Sequence, residues 1–248
     1  MDIGYEPRRG AVEWFREIGD PWMIKGNADR RPQPGSDLLA DGPNAASVAH
    51  HSIIMALDQL GSVVDAMVSG EPMRHYAPFT ILRTVLLASA RAMWMLLPDT
   101  SHERQTRCLR IEYINLDEQR KAFKTISGAA ATEELKRQAD QILSDFEAPM
   151  QEFNARAPEL GMAKLTAPPD TVTMLQQLVP ANTPEGYAAQ HLWRVGSSTA
   201  HGYYWSDTQR PNPHLFDEKT FDTALYVATL FVKEAMKLYE QRATGRGH

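Results

Sequence analysis

From Asn44 onward, apolar residues recur at steps of three and four along almost the whole chain. Ile53, Leu57, Leu60, Val64 and Met67 form the first stripe, and Gly70 followed by Pro72 ends it. A second helix is predicted to open at Pro78 and stop at Pro98. It is apolar nearly all round, which places it at the centre of a bundle. Thr100 and Glu103 have capping-box spacing ahead of a third helix that runs to about Ile126. A fourth is predicted from Thr132, with Leu135, Ala139, Ile142, Phe146, Met150 and Phe153 on one face and Pro149 as a candidate kink. Asp170 starts a short fifth helix that Pro180 closes, and Thr183-Pro184 open a sixth that ends before Gly202. The last runs from about Glu218 to Arg242 on the stripe Phe221, Leu225, Ala228, Val232, Ala235 and Tyr239. No run alternates with a period of two. The pattern predicts an all-α bundle of six to seven helices, with residues 44–248 as a single domain.

Residues 1–43 read differently. Pro7, Pro21, Pro32, Pro34 and Pro43 punctuate them, and only Ala11 to Ile18 has a helical pattern. They are expected to form an irregular N-terminal arm with one short helix. Trp14, Phe15 and Trp22 give that arm something to pack with.

Composition narrows the function classes. Of 248 residues, 43% are hydrophobic and 23% charged, enough for a sizeable core. The net charge of −5 argues against coating nucleic acid by global charge and leaves room for a local basic site. A single cysteine, Cys108, forms no intrachain disulfide and is compatible with a reducing cytoplasm, the expected location. No basic-then-apolar leader pattern appears in residues 1–30. The most apolar run, Ile81 to Leu97, is broken by Arg83 and Arg91, so a core helix is expected and no membrane contact.

Several searches for chemistry return nothing. No glutamate has a histidine three residues on, and no paired-cysteine, His-Glu-x-x-His, phosphate-loop or Gly-x-Ser-x-Gly pattern occurs. The His50–His51 doublet points two ways from one helix, about 100° apart. No metal and no cofactor are expected. The third helix carries Arg104, Arg107, Arg110, Arg120, Lys121 and Lys124 among acids. That pattern fits a solvated face of i,i+4 pairs, or a small phosphate-facing patch.

The sixth helix is more informative. Ala188, Leu192, Val195 and Thr199, flanked by Trp193 and Gly196, make its core side. Tyr187, His191, Arg194, Ser198 and His201 make the other stripe, where an ordinary solvent face would carry Glu, Lys and Gln. Imidazole, guanidinium, hydroxyl and phenol groups bind phosphate and move protons. The bland alternative is that Arg194 pairs with an acid, His201 caps the helix, and the small residues Gly196 to Ala200 serve packing.

The segment Arg194-Val-Gly-Ser-Ser-Thr-Ala-His201 resembles the Arg-x(4–6)-His motif of the HEPN superfamily, with the aromatic residue before the Arg and the small residue before the His also matching. Val195 stands where many active members have a polar residue. The resemblance implies an all-α, often dimeric bundle and a metal-independent endoribonuclease of toxin or defence type, with Arg194 and His201 as the catalytic pair. Tyr187, His191, Ser197 and Ser198 are then the candidate substrate contacts. RNA is the implied substrate, and an antitoxin-like protein is a candidate partner. The competing reading is a non-catalytic helical interaction or regulatory module. Arg194 and His201 are two turns apart, about 10.5 Å along the axis. Two antiparallel copies would bring one chain's Arg near the other's His, so a homodimer through 184–201 is expected, with Gly196–Ala200 allowing close approach.

Overall fold

A computed structural model describes residues 6–24, 31–210 and 212–245. It is 76% helical, and no strand occurs among the described residues, so the fold class is all-α. The chain divides into two compact units, residues 1–97 with 170–248, and residues 98–169. The sequence pattern alone suggested one bundle over 44–248.

The first unit contains α1 (Glu6–Trp14), a π-helical turn (Phe15–Gly19), α2 (Asp20–Ile24), α3 (Asp37–Ala40), α4 (Pro43–Val68) and α5 (Ala77–Leu96). The second contains α6 (Ser101–Gly128), α7 (Glu133–Asp145) and α8 (Glu147–Glu159). The chain then returns to the first unit through α9 (Thr171–Leu178), α10 (Pro184–Ala200) and α11 (Glu218–Thr244). Helices exceed the expected six to seven for two reasons. The N-terminal arm is itself largely helical, and the predicted fourth helix is two. The break falls at Phe146, and Pro149 sits in the first turn of α8, where a missing N–H costs nothing.

In the first unit α5 is the central element, packed by α4, α9, α10 and α11. Phe79, Leu82, Val85, Leu86 and Leu96 are all buried, as the all-round apolar pattern required. By length and composition α5 is the one described helix that could cross a membrane, yet 67% of its apolar window is buried inside the protein. Caps readable in the sequence form as hydrogen bonds: Thr100, Asp170 and Thr183 accept from the backbone N–H three residues on.

The arm is helical over residues 6–24 and Asp37–Ala40 and irregular over residues 31–36, as expected there. Phe15, Trp22 and Leu38 are buried, each 2% exposed or less. The Phe15 ring lies against Gly61 of α4, where a Cβ would come within 2.8 Å of its Cζ. Trp22 donates from Nε1 to Glu240 at 3.0 Å and stacks on His50 at 5.3 Å between centroids. Arg242 near the end of α11 bonds Asp37 at 2.7 Å. Of the arm expected to be irregular, residues 25–30 lie outside the described residues, and α3 adds a second helical segment to it.

In the second unit, Leu109, Ala157 and Leu165 form a small core with Tyr113 and Phe153. Most of the α6 cations are engaged internally. Arg104 is 2% exposed and donates to the carbonyls of Pro98 and Asp99. Arg110 donates to those of Thr166 and Ala167, and Arg107 pairs with Glu103. Arg120 and Lys121 bond Asp117, which holds its carboxyl below the usual carboxylate range. The bland reading of this helix is the one observed, with carbonyl contacts added.

Phe15 is 2% exposed, and its ring packs against Gly61 of α4. Phe15→Ala is therefore expected to destabilise the protein by about 3–5 kcal/mol, read as a fall in the midpoint of chemical denaturation. An unchanged midpoint would show that the arm is not part of the cooperative core.

Candidate functional site

The orientation of α10 is set by two glycines. Thr183 caps the helix by accepting from Gly186 N at 3.1 Å, and its hydroxyl donates to Pro180 O at 2.8 Å. The turn folds back so tightly that a Cβ on Gly186 would lie 2.1 Å from Pro180 O. One stripe further on, a Cβ on Gly196 would meet Arg83 Cβ at 2.5 Å and Phe79 O at 2.6 Å. The backbone of α10 therefore rests directly on α5. The close approach that the small residues permit is taken by α5 of the same chain, not left for a second copy.

With that side fixed, the opposite face is exposed. Tyr187 is 68% exposed and stacks on His191, their rings 5.9 Å apart and 4° from parallel. Arg194 and His201 are exposed and enter no ion pair or side-chain hydrogen bond among the described residues. His201 terminates the helix, its N–H donating to Ser197 O at 3.1 Å and Ser198 O at 3.2 Å. The structure thus brings Tyr187, His191, Arg194 and His201 onto one accessible strip.

The two serines are placed differently. Ser198 is 2% exposed, and its hydroxyl donates to Tyr203 O at 2.7 Å, while Tyr203 N donates back to Ser198 O. The chain turns over this serine at Gly202, whose φ of +71° favours glycine. Ser197 accepts from Arg83 Nε at 2.9 Å. The Arg83 guanidinium lies 4.1 Å above the Trp193 ring, and burial pushes its pKa down. No carboxylate pairs with Arg83 among the described residues. The sequence reading had counted Arg83 only as a break in an apolar run. Its packing on Trp193 makes it a second guanidinium held against α10 without a carboxylate.

On the other flank of α10 lies a cavity of about 160 Å³, open on one side. His191, Val195 and Thr199 form one wall, and Phe79 lies behind them. The loop after α10 and the start of α11 close it with Trp205, Asp207, Arg210 and Asp217. Asp207 is the hub of the loop. It accepts from Tyr76 OH at 2.8 Å and from Arg210 Nη2 at 2.6 Å. Arg210 also donates to the carbonyls of Pro213 and Leu215, while its buried Nε has no acceptor. Asp217 caps α11 by accepting from Thr220 N at 3.1 Å. Beside the mouth, Tyr203 and Tyr204 are 64% and 75% exposed. Sequence reasoning missed this loop. Its signal was present as three consecutive aromatic residues, Tyr203 to Trp205, directly after the motif helix.

The Tyr76 phenol titrates above its ordinary value because it donates to the Asp207 carboxylate. A raised folded-state pKa means this bond contributes fully at neutral pH and is lost as pH rises through the phenol's range. Tyr76→Phe is expected to remove one late-titrating phenol from an ultraviolet pH titration. An unchanged profile would show that the Tyr76–Asp207 bond does not form in solution. Comparison of the chain with protein-family models, with curated proteins and with solved structures finds no match, so the site is read from its own geometry.

Proposed function

We propose that this protein is a HEPN-like, metal-independent endoribonuclease that acts through the Arg194–His201 face of α10. One observation carries the reading. In a chain of net charge −5, Arg194 and His201 share one exposed face and are unpaired with any acid among the described residues. Cations left without carboxylate partners at one place are available to a polyanion.

The chemistry proposed is attack of a ribose 2′-oxygen on the adjacent phosphorus. The 2′-OH loses its proton to a base, the P–O5′ bond breaks, and the departing 5′-oxygen is protonated. The products are a 2′,3′-cyclic phosphate and a 5′-OH. Arg194 holds the phosphate and stabilises developing negative charge, and His201 transfers a proton. Tyr187 and His191 offer a stacked pair of rings to a neighbouring base. Ser197 and Ser198 shape the strip through their bonds to Arg83 and Tyr203. A second copy meeting the exposed strip antiparallel would supply the Arg–His proximity that one straight helix does not. The site of action proposed is the cytoplasm.

A second reading has its own support. Exposed Tyr187, Tyr203, Tyr204 and Leu215 are of the kind that anchors protein interfaces. They fit a non-catalytic interaction module, with an antitoxin-like protein as partner.

Purified protein is expected to cleave total RNA in EDTA. His201→Ala is expected to lower the rate by roughly a hundredfold or more. Arg194→Ala is expected to lower it as well and to flatten the salt dependence of binding. Full activity in both folded variants would discard this site, and absence of cleavage in the parent would leave the interaction module. Light scattering at micromolar concentration is expected to show a dimer, and a monomer would remove the two-chain arrangement.

A further inference from the structure

We propose that the cavity between the N-terminal arm and α4 binds a small phosphomonoester, a phosphate group carrying one ring. It is a site apart from the Arg194–His201 strip and does not rest on the RNA reading.

The His50–His51 doublet is the starting point. Consecutive side chains on α4 diverge by about 100°. His50 is held among aromatic rings, its centroid 5.3 Å from that of Trp22 and 5.9 Å from that of Tyr239. His51 is exposed, and its side chain enters no ion pair or hydrogen bond among the described residues. Both nevertheless line one cavity of about 370 Å³, because the arm supplies its other wall with Arg31 and Pro32.

Charge decides what enters. Arg31 is exposed, and nothing among the described residues engages its guanidinium. None of the described residues lining the cavity is acidic. Glu240, next in sequence to Tyr239, accepts from Trp22 Nε1 at 3.0 Å. The N-terminal end of α4 adds to the positive character, since its first turn holds no acid and no side chain caps it. Arg31, His51 and the exposed Ser47 hydroxyl therefore surround one space in which an anion is favoured and a cation is not. A guanidinium fork takes two oxygens of an anion, and the imidazole and hydroxyl are left for a third. A phosphomonoester presents three acceptor oxygens and a charge of about −1.5 to −2 at neutral pH. A carboxylate presents two oxygens and a single charge.

Size and the rest of the lining give the other half of the ligand. A benzene-sized ring needs a cavity of about 150 Å³, so 370 Å³ holds a ring and the phosphate it carries. Pro32, Ile54 and the rings of His50 and Tyr239 make a wall of apolar and flat surfaces for it. The occupant would bridge Arg31 of the arm to His51 of α4, tying the arm to the helices on which it packs. It would do so away from α10, because α4 packs on α5 and α11, and these carry α10 in turn.

The test titrates the full chain with phenyl phosphate by calorimetry, with inorganic phosphate and benzoate as comparisons. Phenyl phosphate is expected to bind at least about tenfold tighter than either and to raise the thermal midpoint. Arg31→Gln and His51→Gln, both at exposed positions, are each expected to weaken it by about tenfold or more, with the midpoint of the free protein unchanged. Ile54→Phe, which narrows the ring's share of the cavity, is expected to weaken phenyl phosphate more than inorganic phosphate. Arg194→Ala is expected to leave the affinity as it is. Absence of binding, or an affinity that survives both Arg31→Gln and His51→Gln, overturns the site and leaves the RNA reading untouched. Loss of binding in Arg194→Ala overturns it too, because the phosphate would then sit on the α10 strip. Benzoate binding as tightly as phenyl phosphate overturns the phosphate assignment, and inorganic phosphate doing so overturns the ring. A 5′-phosphorylated oligonucleotide that binds more tightly than phenyl phosphate, with the same loss in Arg31→Gln, overturns the assignment to a free small molecule.

Discussion

The contact between the backbones of α5 and α10 at Gly196 governs the site. A single methyl group there would lie within 2.6 Å of Phe79 O, so no other residue allows the two helices to meet at this distance. The close approach fixes which side of α10 faces inward, and everything on the remaining circumference follows. Thr199 is brought to Thr80, hydroxyl to hydroxyl at 2.8 Å, and Ser197 to Arg83 at 2.9 Å. Tyr187, Arg194 and His201 are left facing out. The partner helix can bear this role because it is buried along nearly its whole length and held by α4 and α11 on its other sides.

The helices were legible because each carries its own local code. Thr100, Asp170 and Thr183 are caps at which the side chain reaches a backbone N–H only three residues away, so neighbouring sequence suffices to find them. The arm was harder. Its prolines suggested irregularity, but proline is compatible with a helix in the first turn, as Pro7 is in α1, and Pro21 directly follows the π-helical turn Phe15–Gly19. What makes the arm ordered is Phe15 against Gly61 and Trp22 against His50 and Glu240, contacts with residues far away in sequence. No local pattern announces them.

The same distinction divides the site. The strip Tyr187, His191, Arg194 and His201 lies on one helix, and helical spacing alone places it on one face. Ser198 shares that spacing and is nevertheless buried, because the chain returns over it at Gly202 and Tyr203. The cavity was not legible at all. Its walls come from the segment before α5, from α10, and from the loop and cap of α11, and only the fold brings His75, Val195 and Asp217 to one place.

Charge explains why the strip stands out in an acidic protein. The densest run of cations in the sequence, along α6, is largely engaged by carbonyls and by acids one helical turn away. Sequence density of arginine was therefore a poor guide, since i,i+3 and i,i+4 acids neutralise such runs. Arg194 has no acid at those offsets. Positions 190, 191, 197 and 198 are Gln, His, Ser and Ser. Arg83 is similar, with Phe79, Thr80, Leu86 and Leu87 around it on α5. A guanidinium whose helical neighbours offer no carboxylate is not neutralised by its own helix. On the proposed reading, that selection by surroundings, rather than any abundance of positive charge, makes one face of α10 the place where an overall acidic molecule would meet a phosphate.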